Sequence, residues 1–199
     1  MPVFPARGLH FMQTFCNLVP MFIKQRRKIG FFLARMRFRR QPAESVGFSR
    51  AFSDATTALV IVPTEQSERA LAIPFLRSLQ QKFKGSKLTV VSLETTRDLS
   101  VALGPCSVFP LHHEQLTMFQ LPRKAGMEQL LRHRYDIALD LNTTFDLPAA
   151  YVCRSVSAAF RIGFAKEHGD SFYNFLFRTS PQRNLQTRYA QLLQMLAMF

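Results

Sequence analysis

The stretch TALVIVPTEQSERALAIPFLRSL, residues 57–79, decides the fold of this 199-residue chain. It opens with a continuous apolar run at 58–63 and passes through the polar loop PTEQSE into an amphipathic helix. A short strand that is apolar at every position is typical of a parallel sheet covered on both faces. The stretch therefore predicts a strand-loop-helix unit, and the loop between them is the first place to look for chemistry.

The rest of the chain continues this alternation of strands and helices. We predict four more strands, at residues 87–93, 106–111, 135–141 and 159–164, and a closing helix at 185–199. Right-handed crossovers between such units give a doubly wound, mostly parallel sheet, so we expect a Rossmann-like α/β fold. Ligands of such sheets lie beyond the carboxyl ends of the strands. Five polar residues are predicted at that rim: Thr64, Gln66, Ser67, Asn142 and Thr143.

Charge divides the chain into two parts. The whole chain carries a net charge of +13, and residues 1–50 hold ten basic residues against one acid, Glu44, a net of +9. With 47% hydrophobic residues, the chain can bury a sizeable core. We therefore predict a basic amphipathic extension and linker at residues 1–50, followed by the Rossmann-like domain at 51–199. A negatively charged partner is expected to meet the extension first.

The extension carries apolar residues at helical spacing. Phe15, Phe22, Ile29 and Met36 recur every seven positions, and Gly30 predicts a bend or a break in the helix. Such a face among many Lys and Arg residues suits an anionic membrane surface. Docking on a partner protein, contact with nucleic acid, and packing on its own domain with a solvated basic face are the alternatives; nucleic acid is the weakest, because no recognisable binding module is present. The residues predicted to contact a membrane or partner are Phe15, Phe22, Lys24, Arg26, Arg27, Lys28, Phe31, Phe32, Arg35, Arg37, Arg39 and Arg40.

Cysteine usage and targeting signals bear on the compartment. Three widely spaced cysteines without a CxxC pair indicate a reducing compartment. The charges follow the first apolar run instead of preceding it, which argues against a cleaved signal, while the Arg-rich, acid-poor start is compatible with a transit peptide. The sequence contains no run of 18 apolar residues, so it predicts no membrane-spanning helix. We expect a cytoplasmic protein that is peripheral at the inner face of a membrane.

The sequence lacks the motifs that mark several kinds of binding and catalytic site. No GxGxxG dinucleotide fingerprint, GxxxxGK[ST] phosphate loop or GxSxG nucleophile elbow occurs. His112, His113 and Glu114 form a His/acid cluster, and they lack a second ligand pair at metal spacing, so a solvated surface loop is favoured over a metal site. We predict no metal and no cofactor.

Four segments, in order, resemble the N-terminal lobe of the family 9 glycosyltransferases, the lipopolysaccharide heptosyltransferases. They are the first strand with the helix segment PFLRSL (74–79), YDIALDL (135–141), RIGF (161–164) and TRYAQLL (187–193). The resemblance covers residues 57–199. It implies one Rossmann-like lobe of a two-lobed enzyme, in which an acidic general base faces the hydroxyl of an acceptor sugar and a nucleotide-sugar donor binds mainly to the other lobe.

The same resemblance assigns a role to the loop PTEQSE. The family ends this loop with Gly-Asp, where the Asp is the general base and the Gly permits a close backbone turn. The matching positions here are Ser67 and Glu68. Glu68 keeps a carboxylate but moves it by about 1 Å, a misplacement that can cost on the order of 100-fold in rate. Ser67 lacks the backbone freedom of glycine.

The resemblance ends with the first lobe, and we expect no donor lobe in this chain. One lobe cannot align donor and acceptor. We therefore predict a non-catalytic glycosyltransferase-like module, a peripheral or accessory subunit of a membrane-associated complex, that meets a nucleotide-sugar only if a separate donor lobe exists. The alternative is a component of a family 9-type glycosyltransferase that transfers a sugar from a nucleotide-sugar to a lipopolysaccharide-type acceptor, with Glu68 as general base.

Overall fold

The predicted parallel sheet is present and has one strand more than expected. The structure, a computed structural model, describes residues 24–39, 52–83, 87–93, 97–104, 106–180 and 182–198. Within them the order across the sheet is β3-β2-β1-β4-β5-β6, and every neighbouring pair is parallel. The strands are β1 (Ala58–Ile61), β2 (Leu88–Ser92), β3 (Ser107–Pro110), β4 (Arg134–Asp140), β5 (Ser157–Phe164) and β6 (Phe175–Phe177). This order confirms the doubly wound, Rossmann-like fold.

Helices cover both faces of the sheet. The described residues also contain two short 3-10 turns, His113–Gln115 and Gly169–Ser171. The helices are α1 (residues 24–38), α2 (Gln66–Phe83), α3 (Arg97–Leu103), α4 (Lys124–Arg132), α5 (Leu147–Ser155) and α6 (Leu185–Ala197).

The apolar strands fill two separate core layers. In β1, Ala58 and Val60 point to the layer under α2, α3 and α6, whereas Leu59 and Ile61 point to the layer under α1, α4 and α5. All four side chains are fully buried. Complete burial of a Val, Leu or Ile side chain stabilises the fold by about 1.5–3 kcal/mol, which explains why the strand is apolar at every position.

A single carboxylate joins the amino ends of the two central strands. Asp136 accepts hydrogen bonds from the backbone N–H groups and the hydroxyls of Thr56 and Thr57, at 2.8–3.0 Å. Burial opposes the charged form of this group, but the four hydrogen bonds outweigh it and lower the pKa of Asp136 below its usual value. Asp136 of YDIALDL therefore has a structural role, because it fixes β4 beside β1.

α1 packs against the rest of the fold along one face. Ala34 and Phe38 are buried in the core layer that α5 also covers. Gly30 does not interrupt this helix; a Cβ atom there would collide with the carbonyl oxygen of Phe119, so the glycine permits a close approach. A chain that begins at residue 51 would therefore lose part of its core. The division of the chain at residue 50 stays a prediction, since residues 40–51 lie outside the described part.

Candidate functional site

The site predicted by the fold lies where β1 and β4 end. After β1 the chain crosses to β2 on one side, and after β4 it crosses to β5 on the other side. The loops that follow β1 and β4 therefore diverge between these two strands. In open α/β sheets this divergence forms the ligand crevice. We call the loops after β1 (residues 62–65) and after β4 (residues 141–146), with the first turn of α2, the rim.

Hydrogen bonds join the two sides of the rim. Thr64 donates its backbone N–H to Asn142 Oδ1 at 3.2 Å, and the Thr143 hydroxyl donates to Glu68 Oε1 at 3.0 Å. Three of the five predicted rim residues and the predicted base Glu68 are thus brought together in pairs. The bonds tie the two sides of the crevice together, and Glu68, the predicted base, accepts from Thr143 with one of its two carboxylate oxygens.

The other two predicted rim residues point to solvent. Gln66 is exposed and begins α2, so Ser67 and Glu68 lie in the first turn of the helix and not in the predicted loop. The Ser67 hydroxyl donates to Glu65 Oε1 at 2.6 Å. Two acidic side chains at this helix start, Glu65 and Glu68, offset the partial positive charge that would otherwise attract a phosphate group.

A buried ion pair lies beneath the rim. Asp140, the last residue of β4, is 2.8 Å from Lys166 Nζ, and the two side chains are 0% and 3% exposed. Lys166 also donates to the backbone oxygen of Asn142 at 2.7 Å, and the Tyr173 hydroxyl donates to Asp140. Burial and the adjacent carboxylate raise the pKa of Tyr173 well above its usual value, so it remains a donor. Asp140 is fully engaged and has no access to a ligand.

Two further charged groups hold the rim in place. The Arg69 guanidinium is buried, and it donates to the Thr64 backbone oxygen at 3.2 Å and to Ser92 at the end of β2. Asp146 caps α5 by accepting from the backbone N–H of Ala149 at 2.9 Å. Burial raises the pKa of Asp146. Sequence reasoning missed the roles of Lys166 and Tyr173, because each reaches Asp140 from a distant position in the chain, and it missed that of Arg69, because nothing in the sequence shows that its guanidinium turns inward.

α1 has a second apolar face that points away from the fold. Ile29, Phe32, Leu33 and Met36 are 47%, 61%, 43% and 51% exposed, and they occupy positions i, i+3, i+4 and i+7 of the helix. We call these four residues the outer face of α1. Ile29 and Met36 belong to the seven-residue apolar repeat found in the sequence, and Phe32 lies between them on the same side of the helix. The described part of that repeat is therefore exposed to solvent.

Basic residues flank the outer face on both sides. Arg26 and Arg37 lie along one border, and Lys28, Arg35 and Arg39 along the other, as helical geometry places them. All of the described basic residues predicted to contact a membrane or partner are exposed: Lys24, Arg26, Arg27, Lys28, Arg35, Arg37 and Arg39. Phe15, Phe22 and Arg40 lie outside the described residues.

Two of the predicted contact residues are engaged by the fold itself. Phe31 packs its ring against Phe145, His168 and Phe172, with centroids 4.3–6.1 Å apart. The Arg27 guanidinium donates to the backbone oxygen of Phe145. Phe31 therefore holds α1 on the body, while Phe32, its neighbour in sequence, points outward.

The described residues show no metal-binding group and no membrane span. Nowhere among them do three or more His, Cys, Asp or Glu side chains converge as metal ligands, and His112, His113 and Glu114 are exposed. None of the described helices combines the length and the apolar character needed to cross a bilayer. Of the three cysteines, Cys153 is buried and Cys106 half-buried, both as free thiols, and Cys16 lies outside the described residues.

Comparison with known proteins gives one family and one fold. Residues 33–199 match the family described as "Family of unknown function (DUF6913)". No curated protein matches the chain. Two structures of E. coli heptosyltransferase WaaC are similar at 20% sequence identity: the complex with ADP (TM-score 0.55) and the complex with ADP-2-deoxy-2-fluoro heptose (TM-score 0.57).

The WaaC likeness covers 70% of this chain and 46% or 47% of the WaaC chains. This chain therefore spans about half the length of the enzymes that it resembles. At 20% identity the likeness establishes the fold, a heptosyltransferase-like Rossmann lobe, and fold alone does not determine function.

Proposed function

Because the chain belongs to the DUF6913 family, whose function is unknown, we propose a function from its own side chains: a non-catalytic glycosyltransferase-like module. It docks on an anionic membrane surface through the outer face of α1 and serves as an accessory subunit of a membrane-associated complex. The observation that carries this proposal is the outer face itself, four adjacent apolar side chains that the fold leaves exposed between two rows of basic residues.

The state of the rim supports a non-catalytic role. A general base must reach the proton that it removes. Glu68 is bonded to Thr143, and Asp140 is buried beneath the rim with Lys166 and Tyr173. Asp140 cannot reach a sugar hydroxyl without breaking contacts within the chain, and one of the two Glu68 carboxylate oxygens is already engaged.

The expected binding free energies indicate what kind of membrane the outer face of α1 requires. Its four side chains are about half exposed, and full burial of such side chains is worth about 1.5–3 kcal/mol each, so insertion contributes on the order of 3–6 kcal/mol. That is comparable to a single myristoyl chain, which binds membranes only marginally. Each nearby basic residue adds about 1 kcal/mol on an anionic surface. Stable docking therefore requires anionic lipid as well as the apolar face.

Sedimentation with lipid vesicles tests this proposal. The intact chain is mixed with vesicles of phosphatidylcholine alone or with about 30% phosphatidylglycerol. We expect binding to the anionic vesicles and little to the neutral ones, with partial release in high salt, because salt screens charges but does not remove apolar contact. Absence of binding to anionic vesicles would exclude membrane docking, and complete release by moderate salt would indicate a purely electrostatic contact.

One observation favours glycosyl transfer as a second candidate function. The Thr64 hydroxyl at the rim is buried and has no hydrogen-bond partner among the described residues. A buried unpaired hydroxyl is costly, and an acceptor sugar bound beside Glu68 would supply the missing partner. In this alternative Glu68 is the general base of a family 9-type transfer to a lipopolysaccharide-type acceptor. Sugar transfer from a nucleotide-sugar that is lost in Glu68→Gln would support it.

A further inference from the structure

A groove of about 600 Å³ lies at the opposite end of the sheet from the rim. Its floor is formed by residues at the amino ends of the central strands, Thr57, Thr89 and Tyr135, together with Ser107 at the start of the edge strand β3. Leu130 of α4 closes one side. Sites for small molecules have volumes of about 300–1,000 Å³, so this groove has the size of a ligand site.

A buried hydroxyl in the groove lacks a well-formed hydrogen bond. Tyr135 is only 4% exposed, and its hydroxyl has no bond of good geometry to any described residue. Burial raises the pKa of Tyr135, and a weak hydrogen-bonding contact with the Thr89 side chain lowers it in part. A phenol that stays protonated is a hydrogen-bond donor, and a buried unpaired donor is costly. An acceptor atom bound in the groove would satisfy it.

The mouth of the groove is basic. Lys87 and Arg134 are exposed and line it, together with His112 and His133. None of the residues that line it is Asp or Glu. Of the acids adjacent to lining residues in sequence, Asp136 already accepts four hydrogen bonds from Thr56 and Thr57, Glu128 pairs with Arg132, and Glu114 is exposed. The groove thus offers many donors and no carboxylate.

We propose that this groove binds a small phosphate-bearing molecule, with its phosphate group between Arg134, Lys87 and the Tyr135 hydroxyl. A phosphate group is an acceptor with two negative charges, which suits converging donors and cations. A neutral sugar would leave the two cations at the mouth without a counter-charge. The rings of Phe109, His133 and Tyr135 offer apolar surface for the rest of the ligand. The site is independent of the outer face of α1.

Titration of the isotope-labelled chain by NMR tests the site. The probes are inorganic phosphate, glucose 1-phosphate and adenosine monophosphate, at up to about 10 mM. We expect at least one of them to give saturable shifts at residues that line the groove. Arg134→Gln and Tyr135→Phe should each weaken that binding by about tenfold or more, since each removes a hydrogen bond to a charged group. The control, Arg183→Gln, removes one exposed positive charge elsewhere and should leave the affinity unchanged.

Three results would overturn the proposal. The first is the absence of saturable shifts with all three probes. The second is equal weakening by Arg183→Gln and Arg134→Gln, because the effect would then reflect net charge. The third is a clear drop in the melting temperature of the unliganded Tyr135→Phe chain, because the hydroxyl would then have a structural partner. Removal of an unpaired hydroxyl should leave that temperature unchanged or raise it.

Discussion

Replacement of Lys166 by Met leaves the Asp140 carboxylate buried without its cation. Lys166 Nζ is 2.8 Å from Asp140 Oδ2 and 2.7 Å from the backbone oxygen of Asn142, and the ion pair is almost fully buried. Removal of one partner from such a pair costs about 3–5 kcal/mol. A domain of ordinary stability has about 5–15 kcal/mol in total, so Lys166→Met should lose about a fifth of it or more.

Urea unfolding followed by circular dichroism measures this loss. The matched control is Lys124→Met, which removes an exposed lysine at the start of α4 and should change the free energy of unfolding by no more than about 0.5 kcal/mol. The double variant Asp140→Asn/Lys166→Met removes both charges and should recover part of the stability.

A small effect would refute the structural interpretation of the rim. If Lys166→Met costs less than about 1 kcal/mol, or if the double variant is no more stable than the single one, Asp140 does not depend on Lys166. An increase in stability would indicate that the pair is kept for function at the expense of stability.

Three further predictions address the outer face, the rim and acid stability. Phe32→Ser with Met36→Ser removes about 2–3 kcal/mol of apolar contact and should weaken anionic-vesicle binding by about 30- to 150-fold in sedimentation, whereas Val101→Ser, which removes an exposed apolar residue from the opposite side of the sheet, should not. Glu68→Ala should leave membrane binding unchanged and lower the free energy of unfolding by about 1 kcal/mol in urea, since one hydrogen bond across the rim is lost. The pKa of Asp136 is lowered by its hydrogen bonds, so its contribution to stability is complete above the unfolded-state pKa and disappears as the pH falls through the lower folded-state pKa. Asp136→Asn should therefore be less stable at neutral pH and lose less stability on acidification below about pH 4, as measured by thermal unfolding across pH.

The sequence predicted the sheet well because both of its faces are covered. Strands such as β1 must be apolar at every position, and this pattern is visible without a structure. The strand Phe175–Phe177 was missed because three residues at a sheet edge, all half-buried, give no such pattern. The loop PTEQSE was predicted to extend to Glu68, whereas α2 already begins at Gln66, since the polar first turn of the helix resembles the loop before it.

The site was less predictable than the fold, because contacts between distant residues form it. Nothing near Lys166 in the sequence indicates that it reaches Asp140, 26 positions earlier. α1 illustrates a different limit. Its inner face includes Gly30 and Ala34, which carry little apolar signal, whereas the stronger stripe with Phe32 is exposed. Hydrophobic spacing predicted a helix with an apolar face but could not show which face the fold covers.

The position of residue 32 relative to the lipid tests the docking proposal most directly. The chain contains no tryptophan, so Phe32→Trp and Val101→Trp each introduce a single fluorophore, one on the outer face of α1 and one on the opposite side of the sheet. On anionic vesicles containing brominated lipid, we predict strong quenching of Trp at position 32 and little at position 101, because interfacial helices bury their apolar face about 5–10 Å into the headgroup and acyl boundary. Vesicle-bound chains in which neither position is quenched, or in which position 101 is quenched more, would contradict the proposal that α1 is the membrane contact.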